Sequence, residues 1–312
     1  MVTVMRNSLR TLIGVVLISI NTMVHAVPLF LVSFIKMFVP VKAVRRPCSR
    51  TLARIVESWI AVNSALIVFM THTRFHVSGV QGLRRDASYL VLSNHQTWVD
   101  IPILQKIFNQ RIPFMRFFLK SQLIWVPVLG LAWWALDFPF MKHHSRDALE
   151  RHPELRSQDM EATRRACQRF RGIPVSVMNF VEGTRFRAEK HARQASPYRY
   201  LLRPKSGGVT CVLGAMSDAL HSILDVTIVY PQGQPSMFHL MMNQLTDVYV
   251  IVREYPIPRE LRDGDCEVDR EYRARLQRWL NILWSEKDVL IGKIIESHKK
   301  EKGSVPFLRH PD

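Results

Sequence analysis

The fold is decided by one stretch, Tyr89-Leu90-Val91-Leu92-Ser93 running into Asn94-His95-Gln96-Thr97-Trp98-Val99-Asp100. An apolar run of strand length ends in Asn-His, and a helical pattern over 98–108 follows. This places His95 on the turn at the C-terminal edge of a strand, where open α/β sheets bind their ligands. Asp100 falls near the first helical turn. From there its carboxylate can reach one imidazole nitrogen and leave the other free as a base. Taken alone, a His and an Asp at this spacing are more often chance or capping than catalysis.

The same alternation extends outward. Short runs rich in β-branched and aromatic residues predict strands over 74–77, 89–93, 114–119, 175–181, 226–230 and 248–254. Helical patterns are expected over 98–108, 159–170, 208–220 and about 267–298. Strands separated by helices predict an α/β fold, a mostly parallel sheet flanked by helices. Tyr272, Leu276, Trp279, Leu280, Leu283 and Trp284 line one side of the last helix and read as core.

A second turn of interest is Phe180-Val181-Glu182-Gly183-Thr184-Arg185, again after an apolar strand. Gly183 permits a tight reversal, and Arg185 offers a planar fork suited to a phosphate. Glu182 is expected to orient a neighbouring Arg or hydroxyl.

The chain of 312 residues carries 43 Lys and Arg against 26 Asp and Glu, a net charge of +17. Such a surplus calls for an anionic partner: nucleic acid, phospholipid or an anionic substrate. It has three addresses. Residues 1–72 hold eight bases and one acid, 101–136 hold four bases and no acid, and 183–205 hold seven bases and one acid; the remainder is balanced. Nucleic acid is excluded, because no binding motif or basic stripe interleaved with aromatics accompanies the charge. Cys48, Cys167, Cys211 and Cys266 are widely spaced with no CxxC, which predicts buried free thiols in a reducing cytosolic setting. No metal site is expected: His143-His144, His191 and His221 have no ligand spacing.

Residues 11–35 carry no charge, long enough for a membrane helix though polar at Asn21, Thr22 and His25. A cleavable signal ending at Val24-His25-Ala26 fits poorly, since the apolar run continues to Val41. Lys42, Arg45, Arg46, Arg50 and Arg54 follow the run and place the downstream chain in the cytosol. Two geometries stay open: one span, or a re-entrant hairpin bent near Pro28. Residues 50–71 form an amphipathic helix that either lies in the membrane interface or packs on the main domain. The expected organisation is a membrane anchor and interfacial helix over 1–72, a main domain over 73–300 and a loose tail over 301–312.

Together the two turns resemble the glycerolipid acyltransferases, the 1-acylglycerol-3-phosphate O-acyltransferase family. Its NHxxxxD mark is found as Asn94-His95 to Asp100, and its EGTR mark as Glu182 to Arg185. Lys120-Ser121-Gln122-Leu123 with Pro127 and Gly130 looks like its second block, and Lys205-Ser206-Gly207-Gly208 like the Lys-Gly step after EGTR. The resemblance covers roughly residues 73–255, and residues 118–142 are similar to a bacterial subgroup of inner-membrane acyltransferases. One departure is Phe140-Met141-Lys142-His143-His144, where the family has an Arg after the Phe; Lys142, His143 or Arg146 must substitute.

The resemblance implies acyl transfer from a thioester, acyl-CoA or acyl carrier protein, to the hydroxyl of a lysophospholipid, foremost 1-acylglycerol-3-phosphate. His95 is then the base and Asp100 its orienting partner. Asn94, Lys120, Glu182, Gly183, Thr184, Arg185 and Lys205 contribute to substrate binding, and no cofactor is needed. A thioester is already activated, so no acyl-enzyme is required, in keeping with a sequence without a GxSxG elbow. Alternative acceptors are lysophosphatidylglycerol, lysocardiolipin or a glycolipid, and a non-catalytic lipid-binding module is the rival outside enzymology. The expected location is a bacterial inner membrane, with the catalytic domain facing the cytosol among membrane phospholipids.

Overall fold

The computed structural model describes residues 2–39, 42–138, 140–141, 173–262 and 270–303. Its centre is a six-stranded sheet built from β1 (Arg74–Ser78), β2 (Tyr89–Ser93), β3 (Met115–Phe117), β6 (Ser176–Phe180), β7 (Ser222–Val229) and β8 (Asp247–Tyr255), in the order β1-β8-β7-β2-β6-β3. The run β7-β2-β6-β3 is parallel; β8 turns antiparallel against β7, and β1 pairs parallel with β8. A second, two-stranded sheet pairs β4 (Leu119–Lys120) with β5 (Phe140–Met141). The strand expected over 114–119 is thus divided between two sheets.

Helices cover both faces. On one lie α1 (Val2–Phe38), α2 (Lys42–Met70), α3 (Asp100–Phe108) and α4 (Leu129–Ala135). There Leu52, Val56, Ile60, Ile103 and Leu104 meet Tyr89 and Val91 of β2 and Val226 of β7. On the other lie α6 (Ser206–Met216) and α8 (Arg270–Lys302), whose Val209, Val212, Leu276 and Trp284 meet Leu90, Leu92 and Val177. Every residue of β2 is buried, as a central parallel strand requires, and this explains its uninterrupted apolar run. The short helices α5 (Ala188–Arg193) and α7 (Met237–Met241) border the loops at the sheet's end.

The N-terminal region differs from expectation. Pro28 lies inside one continuous helix, α1, and a second long helix, α2, follows from Lys42. The polar residues of the apolar run explain the geometry. Asn21 Nδ2 donates to Asn63 Oδ1 at 2.9 Å, Trp59 Nε1 donates to Thr22 Oγ1 at 3.1 Å, and His25 Nε2 meets Ser58 Oγ at 3.1 Å. These pairs descend on one helix as they ascend on the other, so α1 and α2 form an antiparallel hairpin zipped by polar contacts. Of the helix expected over 50–71, residues 50–70 belong to α2, and Leu52, Val56 and Ile60 pack into the core of the main domain. Segments Leu9–Phe38 and Val44–Met70 are each long and apolar enough to cross a membrane.

Strand β7 begins four residues earlier than its apolar pattern suggests, because Asp225 interrupts the pattern. Its carboxylate is buried and bridged at 2.6 Å to Lys287 Nζ of α8, which also donates to the Val226 carbonyl at 2.5 Å. The last helix runs to Lys302, past the point where a loose tail was expected. Lys302 Nζ bonds the buried Asp247 at 2.6 Å, which also accepts from Arg74 and meets His76 Nε2 at 2.8 Å. Residues 304–312 and the helix expected over 159–170 lie outside the described residues.

Candidate active site

Parallel strands bring their C-terminal ends to one edge, and the two sequence motifs meet there. β2 and β6 are direct neighbours, with Ser93 opposite Phe180. After Ser93 the chain leaves the sheet because Asn94 takes over its hydrogen bonding. The Asn94 amide donates to the Ile228 carbonyl at 2.9 Å, and its carbonyl accepts from Ile228 N–H at 2.9 Å. Asn94 is fully buried, and these two bonds shape the turn that carries His95.

His95 follows. Its Nδ1 lies 2.7 Å from Asp100 Oδ2. An ionised carboxylate only accepts, so Nδ1 carries the proton and Nε2 keeps its lone pair. The same Asp100 oxygen accepts from Gln96 N–H at 2.6 Å and Thr97 N–H at 3.0 Å, which folds the loop around the carboxylate. Asp100 Oδ1 accepts from the Tyr230 hydroxyl at 2.7 Å. Burial first, then the facing carboxylate, push the Tyr230 hydroxyl well above its ordinary range, so it remains a donor. The imidazole stacks on Phe180 at 3.8 Å between ring centroids, with 12% of its side chain exposed. It is held on one side by a ring and at Nδ1 by a carboxylate.

The Glu182–Arg185 turn closes beside it. Gly183 N–H donates to the Phe180 carbonyl at 2.8 Å, and Gly183 has φ +69°, a left-handed value that favours glycine. The Phe186 N–H donates to the His95 carbonyl at 2.8 Å, joining the two motifs through the main chain. Arg185 lies with its guanidinium 4.3 Å from the Trp98 ring centroid. Stacking of this kind leaves the in-plane N–H groups free for a phosphate. Lys190 donates to the Thr184 hydroxyl. The Lys205 side chain crosses over Gly183: a β-carbon there would lie 3.4 Å from Lys205 Nζ.

Glu182 departs from its expected part. It is buried, accepts from the Leu202 N–H at 3.3 Å, and anchors the turn from below. Burial pushes its carboxyl up to about 8, against the pull of the Leu202 and His95 backbone N–H groups and of Lys287.

His95, Asp100, Glu182, Gly183, Thr184, Arg185 and Lys205 are therefore brought to one sheet edge. Lys120 falls in β4, with its side chain outside the described part of the chain; Lys142, His143 and Arg146 lie outside the described residues. Among the described residues no group of three or more His, Cys, Asp or Glu could hold a metal ion. Sequence reasoning missed Tyr230, Phe180 and Trp98 as parts of the site. The one available signal was that Tyr230 ends a predicted strand, as His95 follows one.

Comparison with known proteins gives the family. A family model described as Acyltransferase matches residues 74–231. Lysocardiolipin acyltransferase 1 of Gallus gallus is 26% identical over 263 residues, which is 79% of this chain and 64% of that protein. The 1-acyl-sn-glycerol-3-phosphate acyltransferase gamma of Mus musculus is 24% identical over 198 residues, 60% of this chain and 46% of its own length. The chain thus spans between about half and two thirds of the length of these relatives. The crystal structure of the 1-acyl-sn-glycerophosphate acyltransferase PlsC from Thermotoga maritima superposes with a TM-score of 0.53 at 15% identity, covering 94% of this chain and 98% of that one. It shares the fold.

Proposed function

Because the chain belongs to the acyltransferase family, we propose that it moves a fatty acyl group from a thioester to the free hydroxyl of a lysophospholipid, with His95 as general base. The observation that carries this reading is the 2.7 Å contact from His95 Nδ1 to a buried Asp100, which leaves Nε2 as the basic nitrogen. His95 Nε2 takes the hydroxyl proton as that oxygen bonds to the thioester carbonyl carbon. The tetrahedral adduct collapses, the carbon–sulfur bond breaks, and the proton passes from His95 to the departing thiolate. A base so positioned contributes ~100- to 10,000-fold. Arg185 and Lys205, with Lys120, bind the acceptor's phosphate.

The foremost acceptor is 1-acylglycerol-3-phosphate, giving phosphatidic acid; the donor is acyl-CoA or acyl carrier protein. Lysocardiolipin is the second reading, favoured by the Gallus gallus relative that aligns with 79% of this chain. The test is a panel of lysophospholipids offered with each donor and read by mass spectrometry. Diacyl product from 1-acylglycerol-3-phosphate is expected. Product from lysocardiolipin alone would move the acceptor, and no product from any lysolipid would overturn the reading.

The α1–α2 hairpin supports a membrane enzyme of one-sided geometry. Thr11 Oγ1 donates to Met242 Sδ at 3.0 Å, and Lys36 Nζ bonds Asp137 Oδ2 at 2.5 Å. At 1.5 Å per helical residue these points are about 37 Å apart along α1. A bilayer core is only ~30 Å thick. A helix crossing it upright could not touch one water-facing domain at both points. The hairpin is therefore proposed to lie in one leaflet, with the catalytic domain on the cytosolic face of a bacterial inner membrane, where the bases after α1 meet anionic headgroups.

A further inference from the structure

The loop from β7 to α7, Pro231-Gln232-Gly233-Gln234-Pro235-Ser236, lies at the active edge of the sheet, because β7 runs parallel beside β2. Pro231 and Pro235 fix φ at either end of it. Between them Gly233 takes φ +97°, a left-handed value that suits glycine, and its N–H closes a turn on the Tyr230 carbonyl at 3.0 Å.

The loop is fastened on both sides of Gln234. Before it, Gln232 is buried, and its Oε1 accepts from the Thr246 N–H and the Thr246 hydroxyl, each at 2.8 Å. After it, the Pro235 carbonyl accepts from Thr97 Oγ1 at 2.5 Å, and the Ser236 side chain caps α7. Gln234 is therefore delivered from a fixed support. Its Nε2 donates to Gln96 Oε1 at 3.2 Å and to the Phe186 carbonyl at 3.3 Å.

Those two partners belong to different segments of the site. Gln96 follows His95, and its own N–H donates to Asp100 Oδ2 at 2.6 Å. Phe186 follows Arg185, and its N–H donates to the His95 carbonyl at 2.8 Å. Both partners lie outside helix and strand, so no regular ladder holds them in place. A carboxamide nitrogen has two N–H groups. Gln234 divides them between the loop that carries the base and the turn that carries the guanidinium.

We infer that Gln234 is a positioning residue that sets the spacing between His95 and Arg185, and through it the choice of acceptor hydroxyl. This deepens the acyltransferase reading and rests on it. In 1-acylglycerol-3-phosphate the free hydroxyl is on the carbon next to the one that bears the phosphate. In the 2-acyl isomer it is one carbon further, a step of about 1.5 Å. With the phosphate on Arg185, a fixed spacing brings the first hydroxyl to His95 Nε2 and misplaces the second. Misplacement by ~1 Å costs about a hundredfold in rate.

The test compares the full-length wild type with Gln234→Ala and Gln234→Glu in detergent micelles. Glutamate keeps the size and shape of glutamine, but an ionised carboxylate cannot donate, so it separates the two bonds from packing. The acceptors are the 1-O-alkyl and 2-O-alkyl glycerol 3-phosphates, whose ether chains do not migrate between positions. Wild type is expected to favour the 1-alkyl isomer about a hundredfold in kcat/KM. Both variants should reduce that preference to about tenfold, through kcat with little change in KM and with Tm retained. Hydrogen exchange read by mass spectrometry should quicken about threefold in residues 94–100 and 182–187 together. A Gln234→Glu variant with the wild-type isomer preference would overturn the proposal, as would equal use of the two isomers by the wild type. So would exchange unchanged in both segments. Faster exchange in both variants, with no acyl transfer by the wild type to any lysolipid, would leave the clamp standing and overturn the acyltransferase reading.

Discussion

The Tyr230 hydroxyl donates a 2.7 Å hydrogen bond to Asp100 Oδ1, the carboxylate oxygen that His95 does not use. Asp100 is fully buried, and its two oxygens are shared among an imidazole, two backbone N–H groups and a phenol. Such bonding spreads the carboxylate charge and moderates its pull on the imidazolium. Tyr230→Phe removes one charged hydrogen bond, worth about 1.5–3 kcal/mol. We expect kcat to fall about tenfold with little change in KM. A purely structural part for Tyr230 would lower Tm along with activity, whereas a part in positioning Asp100 lowers kcat with Tm retained.

Arg185 stacks on Trp98 with its N–H edge free. Arg185→Ala should raise KM for the phosphorylated acceptor by about 10- to 100-fold, the worth of one charge-assisted pair. KM for the thioester should change little, and Arg185→Lys should restore only part of the loss, since Lys lacks the planar fork. A shift confined to the donor's KM would assign Arg185 to the other substrate.

Glu182 gives the fold a pH dependence of definite sign. Burial raises its carboxyl from 4.5 to about 8 in the folded chain. Between those values the folded state holds a proton that the unfolded state has released, so stability is greatest at low pH and declines as pH rises through the window. Tm measured across that range should fall with pH in the wild type and fall less in Glu182→Gln. An unchanged slope would show that Glu182 does not titrate in this way.

Lys287 and Asp225 form a buried pair between α8 and β7 at 2.6 Å. Lys287→Met leaves the Asp225 carboxylate without its cation, and breaking a buried pair in this way costs about 3–5 kcal/mol. Adding Asp225→Asn should recover much of that loss. Denaturant titration of the single and double variants measures both.

The parts of the molecule legible in the sequence were those written in local pattern. The buried run 89–93 and the apolar run before Glu182 marked two neighbouring strands, and Asn94-His95 and Glu182–Arg185 marked their ends. Local pattern failed where a distant partner decides the structure. Asp225 breaks the apolar run of β7, and only Lys287, sixty-two residues later, makes its burial acceptable. Asn21, Thr22 and His25 interrupt an otherwise apolar run, and only their partners Asn63, Trp59 and Ser58 on α2 account for them. Tyr230 belongs to the site because β7 and β2 are adjacent, a fact of sheet order that spacing does not contain. Asn94 and Glu182 carried the right motif, but their side chains turn inward.

The central claim is that His95 is the base of an acyl transfer to a lysolipid hydroxyl. The most direct test is acyl transfer by His95→Ala, read by mass spectrometry on the best acceptor from the panel, with Tm and vesicle binding measured on the same preparation. A loss of at least about a hundredfold in turnover is expected, with Tm and vesicle binding retained. Turnover equal to wild type in that folded, membrane-bound variant would contradict the account.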